Sequence, residues 1–131
     1  MRLSNFLALL PVVVLLIVIA CSQEVEVKED VLIKIAIING FGEDNAAVRF
    51  REAITIDDNI KVVRVANARN FIYDKTKVIA RNKDEKKVNR IKRILGLKQS
   101  EIDFTIKNTE EDFEIILGKD MQRILKNIGK R

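Results

Sequence analysis

The apolar positions fall into runs whose spacing changes along the chain. Val31 to Ile38 (VLIKIAII) is almost unbroken, the pattern of a central strand buried on both faces. Asn39-Gly40 then signals a turn. From Phe41 to Ile54 the apolar residues sit at Ala46, Ala47, Phe50, Ala53 and Ile54, which is helical spacing, with Glu43 and Asp44 where a helix start favours acid. Lys61 to Ala66 predicts a second strand, and Thr76 to Ala80 a third. Between them runs a polar loop, Asn67 to Lys75, containing Phe71, Ile72 and Tyr73. Asn82 and Glu85 are spaced as a capping box for a helix with the stripe Val88, Ile91, Ile94 and Leu95, closed by Gly96. Ile102, Phe104 and Ile106 alternate with polar residues, as on a half-exposed strand. Phe113 to Leu117 is a further strand. Asp120 is placed to cap a last helix bearing Met121, Ile124, Leu125 and Ile128.

The order is β-α-β-β-α-β-β with a terminal helix. It predicts an α/β (α+β) sandwich, a mixed sheet with helices mainly on one face, in a ferredoxin-like arrangement.

One apolar run belongs to none of these elements. Phe6 to Ala20 has no charge, Arg2 precedes it, and Glu24, Glu26, Glu29 and Asp30 follow. This is the layout of a signal peptide or an N-terminal anchor, with the body of the chain outside the membrane. Val18-Ile19-Ala20-Cys21 resembles a bacterial lipoprotein cleavage box, which would make Cys21 the lipidated first residue; an uncleaved helix with an incidental Cys is the alternative. Residues 1–21 are thus read as targeting segment or anchor, 22–30 as a linker and 31–131 as the domain.

Composition narrows the chemistry. The 131 residues contain no His and one Cys, which excludes a His-based triad, a His zinc site and a disulfide framework within one chain. The net charge of +5 sums opposing blocks: −5 over residues 22–60, +10 over 61–98, −5 over 99–118 and +4 over 119–131. Such a division could orient the domain against a charged surface. Around the second helix, Lys86, Lys87, Arg90 and Arg93 form a basic surface that suits an anionic polymer or lipid head groups, or is simply a solvated face. Nucleic acid is not expected, because no aromatic residues interleave these charges.

Other candidates are weaker. Gly40-Phe41-Gly42 lacks the third glycine of a dinucleotide fingerprint, since Asn45 stands there. The carboxylate runs Asp57-Asp58 and Glu110-Glu111-Asp112 fall in predicted loops and supply no opposed acid–base pair. No metal site, cofactor or catalytic residue is expected. Asn39, Gly40, Asn67, Arg69, Tyr73 and Asp74 come from loops expected to meet at one sheet end, which makes them the candidate ligand surface.

Several motifs align in order with one family. Ile35 to Gly40 (IAIING) with Gly42 resembles the first strand and turn of the LytR cell-envelope C-terminal domain. Val65 to Ala68 (VANA) and Tyr73-Asp74-Lys75-Thr76 are similar to its second-strand exit and following loop. Phe113 to Asp120 (FEIILGKD) resembles its closing strand and GxD end. The resemblance spans about residues 32 to 120 and implies a cell-envelope accessory domain without catalysis, in a stand-alone membrane-anchored form. It also implies the membrane and either a cell-wall glycan or an envelope protein as partners. A protein–protein adaptor in an envelope assembly complex is the second reading.

Overall fold

The computed structural model of the chain describes residues 31–130. The targeting segment, Cys21 and the linker lie outside the described residues. Strand β1 spans Ile33–Asn39, helix α1 Ala46–Ile54, β2 Ile60–Asn67 and β3 Lys77–Ala80. Helix α2 follows over Glu85–Leu95, then β4 at Ile102–Phe104, β5 at Phe113–Leu117 and α3 at Met121–Gly129.

The strands form one mixed sheet in the order β2-β1-β5-β3-β4. β1 is parallel to both β2 and β5, β3 is parallel to β4, and β3 runs antiparallel to β5. The mixed sheet and element order agree with the sequence. The strand order differs from a ferredoxin-like one, whose βαβ units are split by an intervening strand. Here β1 and β2 are direct neighbours, as are β3 and β4, so each βαβ unit is unsplit and β5 fills the seam between them. Side-chain pattern explains the difference. β5 is apolar toward both faces, so it belongs in the interior of the sheet. β4 alternates and is short, so it takes an edge.

The second unit reverses both strand direction and the side toward which it grows. Two right-handed crossovers related in this way put their helices on the same face. All three helices share one core with that face. Ile33, Ile35 and Ile37 of β1 and Phe113, Ile115 and Leu117 of β5 meet Ala46, Phe50 and Ile54 of α1, Val88, Ile91 and Leu95 of α2, and Met121, Ile124 and Ile128 of α3. Each fully buried Ile, Leu, Phe or Met among these contributes about 1.5–3 kcal/mol. On the helix-free face Ala36, Ile38 and Ile116 are also buried.

Local boundaries moved for identifiable reasons. α1 starts at Ala46 and not at Phe41, because the Asn39 side chain holds residues 41–43 in a turn. Its Oδ1 accepts from the amides of Phe41 (3.3 Å) and Gly42 (3.1 Å), and its Nδ2 donates to the Glu43 carbonyl at 2.9 Å. The helix then begins after Asn45, which takes the left-handed conformation (φ 61°). The α2 cap is Asp84, whose carboxylate accepts from the amides of Lys86 and Lys87. Asn82, expected in that role, accepts from the Asp84 amide and donates to Asp112. The β4 strand stops at Phe104, short of Ile106.

Candidate functional site

The parallel strands β1, β2 and β5 end together, and in open α/β sheets ligands bind outside such carboxyl ends. Asn39 is in register with Asn67 and with Leu117. The chain from β2 to β3 must cross from one side of β1 and β5 to the other, and it does so over this end. The Ala68 amide donates to the Asn39 carbonyl (2.9 Å), Tyr73 to Gly40 (3.1 Å), and Lys119 to Tyr73 (3.2 Å). Residues 68–76 therefore form a strap across the sheet end.

Glycines let the strap sit down. A β-carbon at Gly40 would come within 2.5 Å of the Leu117 carbonyl and 2.8 Å of the Tyr73 ring. One at Gly118 would fall 2.4 Å from the Lys75 backbone, and one at Gly42 would fall 2.9 Å from the Phe71 ring. At Gly40 and Gly118 the obstructing atoms are backbone and leave no room for a side chain, and Gly42 in addition takes φ +78°, which favours glycine.

The strap's far end is tied by Asp120. Its Oδ1 accepts from the Thr76 amide (2.7 Å) and hydroxyl (2.8 Å), and its Oδ2 from Arg123 (3.1 Å). The Gly118 amide donates in turn to the Thr76 hydroxyl at 3.1 Å. Burial opposes ionisation of Asp120, but the Thr76 and Arg123 hydrogen bonds together outweigh it and hold the carboxyl below its ordinary value. Asp120 precedes α3 as expected, yet its side chain makes no cap bond.

All six candidate residues gather here, with unequal access. Asn39 and Gly40 are buried and Tyr73 is half-buried, so they build the platform. Asn67, Arg69 and Asp74 are exposed, and Asp74 pairs with Lys119 at 3.0 Å. Sequence reasoning placed Phe71 and Ile72 in the loop without giving them a role. They stand 52% and 73% exposed at the crest of the strap. Their signal was apolar residues inside a polar loop.

The basic helix surface is less available than its sequence suggests. Lys87 pairs with buried Asp112 at 2.8 Å, and Arg90 grips both oxygens of Asp57 at 2.9 and 3.0 Å. Lys86 and Arg93 remain exposed. Part of the carboxylate runs is likewise structural, through Asp57, Glu111 and Asp112, while Asp58 and Glu110 are exposed. Glu111 and Glu114 interleave with Arg64 and Arg81, the closest approach being Arg64 to Glu114 at 2.9 Å. Among the described residues no group of His, Cys, Asp and Glu could hold a metal ion, and no helix is long and apolar enough to cross a membrane.

No curated protein and no solved structure matches the chain. The motifs that build the strap lie inside one family match: residues 32–120 fit the family model described as LytR cell envelope-related transcriptional attenuator. The chain belongs to this cell-envelope-related family, as the LytR C-terminal domain.

Proposed function

We propose that the chain is a non-catalytic envelope accessory domain, tethered through residues 1–21, that binds a cell-wall or anionic envelope polymer with the strap over the ends of β1, β2 and β5. One observation carries this reading: a loop pinned to the sheet end at Gly40, Gly118 and Asp120 turns Asn67, Arg69, Phe71 and Ile72 outward. A pinned loop presents contacts without the ordering cost of a mobile one. Arg69 supplies donors for phosphate or carboxylate, and Phe71 supplies an apolar plate. Asn39, Gly40 and Tyr73 set the strap's height and touch no ligand. The tether would join at the start of β1. The seven residues of that strand separate its start from the strap by about 23 Å.

Pull-down of the membrane-extracted chain with purified sacculi and with anionic wall polymer tests the proposal. Arg69→Ala and Phe71→Ala should each weaken retention several-fold while Lys86→Ala does not. Unchanged retention in both strap variants would remove the assignment.

The adaptor reading draws support from a different place. Ala53, Ile56, Leu125 and Ile128 line an apolar groove of about 320 Å³ between α1 and α3, with Ile56 81% exposed. A stoichiometric protein captured from solubilised membranes, resistant to glycan competition and lost on Ile56→Asp, would favour it.

A further inference from the structure

We propose that the outer edge of β4 is an interface between two copies of this chain. The inference is independent of the ligand reading. Among the described strands β4 closes one side of the sheet. It runs parallel to β3 in the register Val78↔Ile102, Ile79↔Asp103 and Ala80↔Phe104. The amides of Thr105 and Lys107 donate to the carbonyls of Ala80 and Arg81, both at 3.0 Å. Backbone groups in a ladder alternate between the two sides of a strand. The Thr105 and Lys107 amides therefore face β3, the second one residue out of the regular register because the strand proper ends at Phe104, and the amides of Phe104 and Ile106 between them lie on the outer side.

Side chains alternate as well. Phe104 lies on the helix side, beside Val88 and Gln99 in a groove of about 410 Å³, and Ile106 follows it. Asp103 lies on the helix-free side, 3.8 Å from Lys77. Phe104 is 41% and Ile106 56% exposed. The opposite edge of the sheet is defended. β2 carries a register shift opposite Ile35/Ala36 and exposed Lys61, both of which discourage strand pairing, although Val65 is 39% exposed there. The β4 edge instead shows apolar side chains beside outward backbone groups.

The segment Asp103-Phe104-Thr105-Ile106-Lys107 is its own complement, which commits the occupant to a second copy. Two such segments, antiparallel about a two-fold axis through Thr105, set Phe104 opposite the partner's Ile106 and Asp103 opposite the partner's Lys107. The outward groups of Phe104 and Ile106 then fall in hydrogen-bonded pairs. Asp103 and Lys107 fall in a non-hydrogen-bonded pair, where facing side chains come closest. A shift of two residues either way moves Asp103 from Lys107 onto Thr105 or Thr109. Alternation, charge and hydrophobic pairing thus select one register. The product is a continuous ten-stranded sheet with the helices of both copies on one face.

The test uses the full chain in detergent. Thr105→Cys places two thiols face to face at the two-fold axis, with the native chain as baseline because both contain Cys21. Mild oxidation should link Thr105→Cys into dimers well above that baseline, whereas Ser100→Cys should not. In sedimentation, Asp103→Lys and Lys107→Asp should each lower the association constant about tenfold, since each spoils two symmetry-related pairs. The double exchange D103K/K107D should restore it to within about twofold. Failure of Thr105→Cys to exceed the baseline, or a double variant as weak as the singles, overturns the proposal.

Discussion

Asp120 divides its two oxygens between two tasks. Oδ1 holds Thr76, far away in sequence, and Oδ2 holds Arg123, one turn into α3. Asp120→Asn leaves a neutral acceptor for hydrogen bonds that now reach a charge, which should cost about 1.5–3 kcal/mol near neutral pH. The pH dependence has a definite sign. The folded carboxyl ionises below its ordinary value of 3.8, so its stabilisation is present above that pH and fades as pH falls through the lower folded value. Urea unfolding at pH 7 and below pH 4 should show the gap between native chain and variant closing in acid. Gly118 and Gly129 give a second residue-scale contrast. Gly118→Ala forces a methyl into the Lys75 backbone and should destabilise by about 2 kcal/mol or more. A β-carbon at Gly129 meets nothing, so Gly129→Ala should be neutral or stabilising by up to about 1 kcal/mol. Thermal melts of the two variants should move in different directions. Sequence exposes a local cap signal at Asp120 but carries no mark of a partner 44 positions away.

At the scale of elements, local pattern was a good guide wherever one face is buried. The α2 stripe Val88, Ile91, Ile94 and Leu95 and the left-handed Gly96 cap are both as the sequence indicates. So is β5, Phe113–Leu117, residue for residue. What pattern could not resolve was competition between neighbouring polar side chains. Asn82, Asp84 and Glu85 all suit a helix start, and Asp84 takes the cap because Asn82 is drawn to Asp112. Asp84→Ala should therefore cost about 1 kcal/mol, and Asn82→Ala should weaken the hold on Asp112 without unwinding the first turn of α2. Denaturant midpoints together with amide exchange at Lys86 and Lys87 separate these effects. The turn at Asn39 was visible as Asn-Gly. That its side chain would consume the first residues of an expected helix was not, because helical periodicity is silent on local amide capture.

Across the whole molecule, the alternating charge blocks read as a division of the chain become pairs within the fold. Arg64 and Arg81 of the basic block meet Glu111 and Glu114 of the acidic one, Lys87 meets Asp112, and Arg90 meets Asp57. The charge blocks along the sequence suggested a division that orients the domain against a charged surface. Topology folds the blocks onto each other, and much of the division cancels. That the loops after β1 and β2 share one sheet end was legible, because strands joined through a helix run parallel and end together. The strap's exposed apolar crest was not, because exposure depends on which loop lies above which.

The place of β5 bears on how the protein is made. A chain synthesised from its N-terminus completes both βαβ units before the strand that joins them exists. Until Phe113–Leu117 emerges, β1 and β3 each lack a neighbour and the halves have no shared sheet. Closure then depends on contacts distant in sequence, which are slow to form. A chain arrested before Phe113 should be digested by a limiting protease as readily as an unfolded one, and one extended past Leu117 should become resistant. Completion is thereby coupled to the last strand of the sheet. The final strand acts as a timing element as well as a structural one.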